Sequence, residues 1–88
     1  MNYDKIYPTL DLHGEYAFSA KYLTEEFIND SVHLKNKKVC IIHGLGEGIV
    51  KKAVYEVLKK DKRLKSFETD ILNPGCTIVE IKEELWEN

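Results

Sequence analysis

Three side chains carry most of the chemistry this sequence offers: Asp11, His13 and His43. An imidazole with an ordinary pKa near 6.5 gives or takes a proton at neutral pH, and a nearby carboxylate can orient it or accept that proton. Each of the two histidines is followed by glycine and closes a short apolar run. His13-Gly14 ends Leu10-Asp11-Leu12, and His43-Gly44 ends Val39-Cys40-Ile41-Ile42. Beyond His43, Gly44, Gly46 and Gly48 fall at every second position, and Ile49, Val50, Ala53, Val54, Val57 and Leu58 then recur at helical spacing. A glycine-rich turn that opens a helix exposes backbone N–H groups, where an anion such as a phosphate is favoured. Asp11, His13 and His43 are therefore candidate catalytic residues. Gly44, Gly46 and Gly48 are candidate phosphate contacts.

The elements that must position these residues read as β-α-β-α-β-β. Residues 1–8 form an arm in which Tyr3, Ile6 and Tyr7 could pack on the domain, and Pro8 interrupts pairing. A first strand covers Thr9 to His13. Alternation puts Leu10 and Leu12 on one face and Asp11 and His13 on the other. A first helix follows from about Glu15 to Val32, its apolar face traced by Tyr16, Ala20, Leu23 and Phe27 and widened by Ala17 and Ile28. Val39 to His43 is the second strand and Gly48 to Lys60 the second helix. Asp61 to Ser66 reads as a charged connection and Phe67 to Leu72 as the third strand. Asn73-Pro74-Gly75 is a turn signal. Cys76 to Lys82 is the fourth strand, and residues 84–88 are a polar tail in which Trp86 could tuck back. Strands one and two should be parallel, with the helix as crossover. Strands three and four should be antiparallel. Ligands of such sheets bind outside the carboxyl ends of the parallel strands, where both histidines fall.

Composition narrows the setting. Eighty-eight residues make one domain, here residues 9–83, with 43% hydrophobic and 32% charged content. No apolar run approaches the roughly 20 residues needed to span a bilayer. The opening MNYDKIYPTL lacks the basic-then-apolar pattern of a secretory signal, so a cytoplasmic protein is expected. Cys40 and Cys76 lie in apolar strand settings without CxxC spacing and read as buried thiols. The net charge is −2, which gives no global attraction for nucleic acid. Lys51, Lys52, Lys59, Lys60, Lys62, Arg63 and Lys65 nevertheless make a local basic run. It is compatible with phosphate contacts at Lys51 and Lys52, or with a plain solvated face. Neither GxGxxG nor GxxxxGK[ST] is present, so a dinucleotide fingerprint and a P-loop are excluded. His33, near the end of the first helix, should meet the helix C-terminus or solvent.

Structural readings compete at each candidate. A strand-end histidine can be a packing residue, Asp11 can satisfy backbone donors, and the glycines can serve a tight turn alone. The conjunction favours chemistry: two His-Gly pairs, one preceded by an acid, at equivalent points of successive units. Asp11, His13 and His43 could also form a two-histidine, one-carboxylate metal site, although no divalent metal is required by their spacing.

These motifs resemble the Smr (small MutS-related) domain family. Its LDLHG motif is unbroken here as Leu10 to Gly14. Its HGxGxG motif, followed by two apolar residues and a basic one, reads His43-Gly44-Leu45-Gly46-Glu47-Gly48-Ile49-Val50-Lys51. A closing glycine and a threonine in an apolar strand match Gly75-Cys76-Thr77-Ile78-Val79. The resemblance implies a two-layer α/β sandwich, a four-stranded mixed sheet with both helices on one face, similar to the C-terminal domain of translation initiation factor 3. It further implies nucleic-acid binding. Many members are endonucleases that nick DNA or cleave RNA, some on stalled or collided ribosomes. Asp11 and His13 match the motif associated with cleavage, Gly44, Gly46 and Gly48 the loop associated with nucleic-acid contact, and Lys51 the basic position after it. Glu47 departs from the small or hydroxyl residues common there and sets a negative charge in the loop.

Overall fold

Alternating apolar residues and helical stripes build the expected six elements. A computed structural model, which describes residues 6–83, places them as β1 (Thr9–Asp11), α1 (Ala17–His33), β2 (Lys38–Ile42), α2 (Ile49–Lys60), β3 (Leu64–Thr69) and β4 (Cys76–Ile81). The readings of Tyr3 and of the tail with Trp86 lie outside the described residues.

The strands form one mixed sheet in the order β1-β2-β4-β3. β1 runs parallel to β2, with Leu10 opposite Ile41. β4 lies antiparallel to β2 on one side and β3 on the other. Residues of one pleat face, Leu10, Val39, Ile41, Phe67, Val79 and Ile81, meet Ala20 and Ile28 of α1 and Ala53, Val54 and Leu58 of α2 in a single core. Both helices therefore cover the same face. At full burial an aliphatic side chain of this size contributes about 1.5–3 kcal/mol, and Leu12, Ile28, Ile41 and Ile81 are wholly enclosed. Cys40 and Cys76 are buried, as their apolar setting suggested.

The structure shifts several boundaries. β3 begins at Leu64, not Phe67, so part of the stretch read as a charged connection is strand. A register shift between Leu64 and Ser66 explains the misreading. The bulge puts Leu64 and Phe67 three residues apart on the core face, which breaks the period of two. β3 ends at Thr69. Ile71 and Leu72 are 96% and 79% exposed in the turn, where Asp70 Oδ1 accepts the Leu72 N–H at 3.0 Å. In α1 the buried stripe is Ala20, Thr24, Ile28 and Ser31, and Tyr16 lies outside it at 75% exposure. Both helices are ended by backbone geometry. The C-terminus of α1 closes with Lys35 at φ +60°, its N–H donating to Val32 O and the Asn36 N–H to Ser31 O, a Schellman pattern.

Thr24 Oγ1 is buried in α1 without a hydrogen-bond partner among the described residues. An unsatisfied buried hydroxyl costs roughly 1–3 kcal/mol. Thr24→Val keeps the shape and removes the hydroxyl, so chemical denaturation should show a variant at least as stable as the parent, by up to about 1 kcal/mol. A loss of stability would show that the hydroxyl is satisfied.

Candidate functional site

Parallel pairing brings the two His-Gly turns together. At the end of the β1–β2 ladder the Leu12 N–H donates to Ile42 O at 2.7 Å, so the chain leaves both strands at the same level. The turn after β1 is closed by the Glu15 N–H on Leu12 O at 3.0 Å, with Gly14 at φ +83° where an L side chain would be strained. Across the gap, Gly44 takes φ +82°, and a Cβ there would meet His13 Cβ at 3.6 Å. The second turn is also tied to β4: the N–H groups of His43 and Gly44 both donate to Gly75 O, at 2.9 and 3.0 Å. Gly44 thus spends its amide inside the fold.

A cleft of about 370 Å³ opens between these turns, lined by His13 to Ala17 on one side and His43 to Val50 on the other. Both helices start at it. α1 begins at Ala17, and α2 begins at Ile49 with Gly48 as its left-handed cap at φ +85°. Two helix N-termini each place partial positive charge there, equivalent to roughly half a unit. Glu15 and Glu47 oppose that field from the rim.

His13 and Asp11 form a dyad. His13 Nδ1 and Asp11 Oδ1 are 2.6 Å apart, and the same oxygen accepts the His13 backbone N–H at 3.1 Å. Their side chains are 76% and 50% exposed. Hydrogen bonding to Asp11, reinforced by its charge, raises the imidazole pKa above 6.5, and the bond to His13 lowers that of Asp11. Nε2 makes no hydrogen bond among the described residues.

His43 is placed differently. It is 5% exposed, with its ring turned in toward β4 and α2. Nδ1–H donates to Gly44 O at 3.1 Å, since a carbonyl only accepts, and Nε2 lies 2.8 Å from Thr77 Oγ1. Thr77 Oγ1 is 3.1 Å from the Tyr55 hydroxyl, itself 2.9 Å from Thr69 Oγ1. The Tyr55 ring meets the His43 ring edge-on at 6.4 Å, and Lys51 Nζ sits 5.6 Å above the Tyr55 ring. Burial, with a smaller push from Lys51, lowers the His43 pKa against the opposing Gly44 hydrogen bond.

The sequence-derived candidates therefore separate. Asp11 and His13 come together, and Gly44, Gly46 and Gly48 line the cleft beside them. His43 lines its floor but commits both ring nitrogens elsewhere, so the two histidines and Asp11 do not converge as metal ligands. Among the described residues no three His, Cys, Asp or Glu side chains do. Lys51 sits over Tyr55, and Lys52 is exposed outside the cleft lining. The rest of the basic run is remote: α2 spans 12 residues, about 18 Å, and Lys59 and Lys60 lie at its far end. Arg63 pairs with Asp61, and Lys65 with Glu80. Sequence reading missed Tyr55 and Thr69. Thr77 was noticed as part of a motif, but its contact with His43 is a tertiary one.

A family model of the Smr domain matches residues 10–82. The chain belongs to the Smr domain family. This Smr domain is 41% identical over 66 residues to a protein of Finegoldia magna named endonuclease MutS2, covering 75% of this chain but 8% of the relative. It is 41% identical over 76 residues to a Geobacillus protein of the same name, 83% of this chain and 10% of that one. The chain thus spans about a tenth of the length of these relatives. The crystal structure of the Smr domain of Thermus thermophilus MutS2 superposes with a TM-score of 0.81 at 26% identity, covering 85% of this chain and 98% of that one. YdaL, a stand-alone small MutS-related protein from Escherichia coli, gives 0.79 at 20% identity, covering 84% and 63%, a likeness of fold. In this Smr domain no helix among the described residues is long and apolar enough to cross a membrane.

The two histidines contribute to stability with opposite sign. The folded His43 pKa is below its unfolded value, so the stability it lends is present above about pH 6.5 and is lost as pH falls through the lowered folded value. His13, with its pKa raised, lends stability below that pH. Chemical denaturation at about pH 7.5 and 5.5 should show His43→Gln losing less stability on acidification than the parent. An equal or larger loss would contradict the burial argument.

Proposed function

We propose that this Smr domain is a nucleic-acid endonuclease whose proton donor is His13. The observation that supports it best is the 2.6 Å Asp11–His13 contact at the mouth of a cleft flanked by two helix N-termini. A carboxylate on Nδ1 fixes the imidazole tautomer and stabilises the imidazolium, as in other Asp–His pairs. The raised pKa increases the protonated share of the ring near neutrality and presents Nε2 as acid. The reaction is transfer at phosphorus. A hydroxyl oxygen, from water or from a ribose 2′-OH, bonds to phosphorus as the bond to the leaving oxygen breaks. His13 Nε2–H passes its proton to that leaving oxygen. The attacking hydroxyl loses its own proton to solvent. The loop amides after Gly44 and the first amides of α2 meet the charge that builds on the phosphate. Asp11 is the positioning residue. His43, buried against Thr77 and Tyr55, holds the loop rather than touching substrate. The relatives named as endonucleases agree with this reading.

On labelled single-stranded RNA, structured RNA and plasmid DNA, His13→Ala should lower cleavage by at least about 10²-fold while binding persists. In the parent, activity should fall as pH rises through the raised His13 pKa. Asp11→Asn should move that limb to lower pH, because the carboxylate that stabilises the imidazolium is gone. Intact substrates with salt-dependent binding in parent and variants alike would instead support a non-catalytic nucleic-acid-binding module.

Glu47 is exposed and lines the cleft. Glu47→Gln should tighten binding of a short oligonucleotide about two- to fivefold at low salt, and the gain should shrink as salt is raised. Unchanged affinity at low salt would place the phosphates away from this loop.

A further inference from the structure

The apolar stripe of α1 does not account for all of its aromatic residues. Ala20, Thr24, Ile28 and Ser31 face the core. Phe18 and Tyr22 lie on the other side, Tyr16 is the capping residue just before the helix, and the three are 77%, 61% and 75% exposed. Tyr16 and Phe18 have their ring planes parallel to within 3°, with centroids 6.4 Å apart, so neither ring closes off the other. The pair stands at the cleft. Tyr16 is one of its lining residues, and Phe18 lies in the first turn of α1. A wider concavity of about 550 Å³ between α1 and the end of α2 offers no comparable surface. Its lining is charged and carries no aromatic ring, and four of its charges pair with one another, Lys21 with Glu56 and Arg63 with Asp61.

We infer that Tyr16 and Phe18 are a stacking platform for unpaired nucleobases, which makes single-stranded nucleic acid the substrate class of the adjoining cleft. The inference rests on the reading of that cleft as a phosphodiester site. Its own support is the combination found here: open parallel aromatic faces next to a cleft at which two helix N-termini and the exposed His13 meet. Proteins that hold single strands use this pairing, with backbone phosphates drawn to positive potential and bases laid on aromatic rings. In a duplex each base is already stacked on both faces and is unavailable to a surface ring. Phe18 sits in the first turn of α1 and Tyr16 is the residue that caps it, its N–H held by Ser19 Oγ at 3.2 Å, so the backbone that carries both rings is ordered before binding.

Anisotropy of labelled oligonucleotides at fixed low salt tests this. The probes are a single-stranded RNA, a DNA strand of the same sequence, its duplex, and an abasic strand of equal length. The parent should bind the base-bearing single strands at least about tenfold more tightly than the abasic strand, a comparison that needs no variant. The pair Tyr16→Ala with Phe18→Ala should erase that gap and leave abasic and duplex binding unchanged. Tyr16→Phe with Phe18→Tyr should keep it. RNA and DNA strands bound alike would place recognition on the bases, and a difference would add a sugar contact. Equal binding of abasic and base-bearing strands by the parent overturns the platform but leaves the cleft reading standing. So does a folded alanine variant that binds like the parent. A parent that binds none of the probes overturns both.

Discussion

The site depends on the parallel pairing of β1 with β2 and on where it stops. The Leu12 N–H on Ile42 O is the last bond of that ladder. Beyond it the two chains must diverge, and each does so through His-Gly. The left-handed conformations of Gly14 and Gly44 let both turns form within two or three residues of the strand ends. The close approach of Gly44 to His13 then brings the turns into contact. Gly75, accepting two amides from the second turn, pins it to the central strand β4. Without that edge, the dyad, the glycine loop and the helix starts would have no common location.

From this edge two similar sequence units acquire opposite chemistry. His13 stays in solvent with a carboxylate on one nitrogen and becomes more basic. His43 goes under the sheet's helical layer, loses hydration and becomes less basic. The difference follows from strand length and pleat. β2 is longer, and His43 continues the core face of Val39 and Ile41, where Thr77 and Tyr55 wait. The first unit has an acid two residues earlier, on the face away from the core, and His13 folds back onto it. One histidine stays open to solvent; the other ties the loop to β4 and packs on Tyr55 of α2.

Much of this was legible in the chain itself. The LDLHG and HGxGxG stretches, the element order and the parallel first pair all follow from alternation, helical spacing and glycine placement. The convergence of Asp11 with His13 follows from their two-residue spacing. Three features were not legible. The bulge at the start of β3 hides Leu64 by breaking the period, and Ile71 and Leu72 mimic strand residues in a turn held by Asp70. The role of His43 depends on Thr77, 34 residues away, and on Tyr55, a contact that no local pattern encodes. Tyr16 looked like a core residue because it lies four residues before Ala20. The helix instead begins after it and turns it outward.

The central claim is that two equivalent histidines are split by their surroundings into an exposed, carboxylate-bound ring and a buried, neutral one. The direct measurement is an NMR pH titration of the imidazole carbon-bound protons in the parent and in Asp11→Asn. His13 should titrate above about 6.5 in the parent and move down in Asp11→Asn, while His43 titrates below about 6.5 in both. Two histidines titrating together near the ordinary value, or a His13 titration indifferent to Asp11→Asn, would contradict the account.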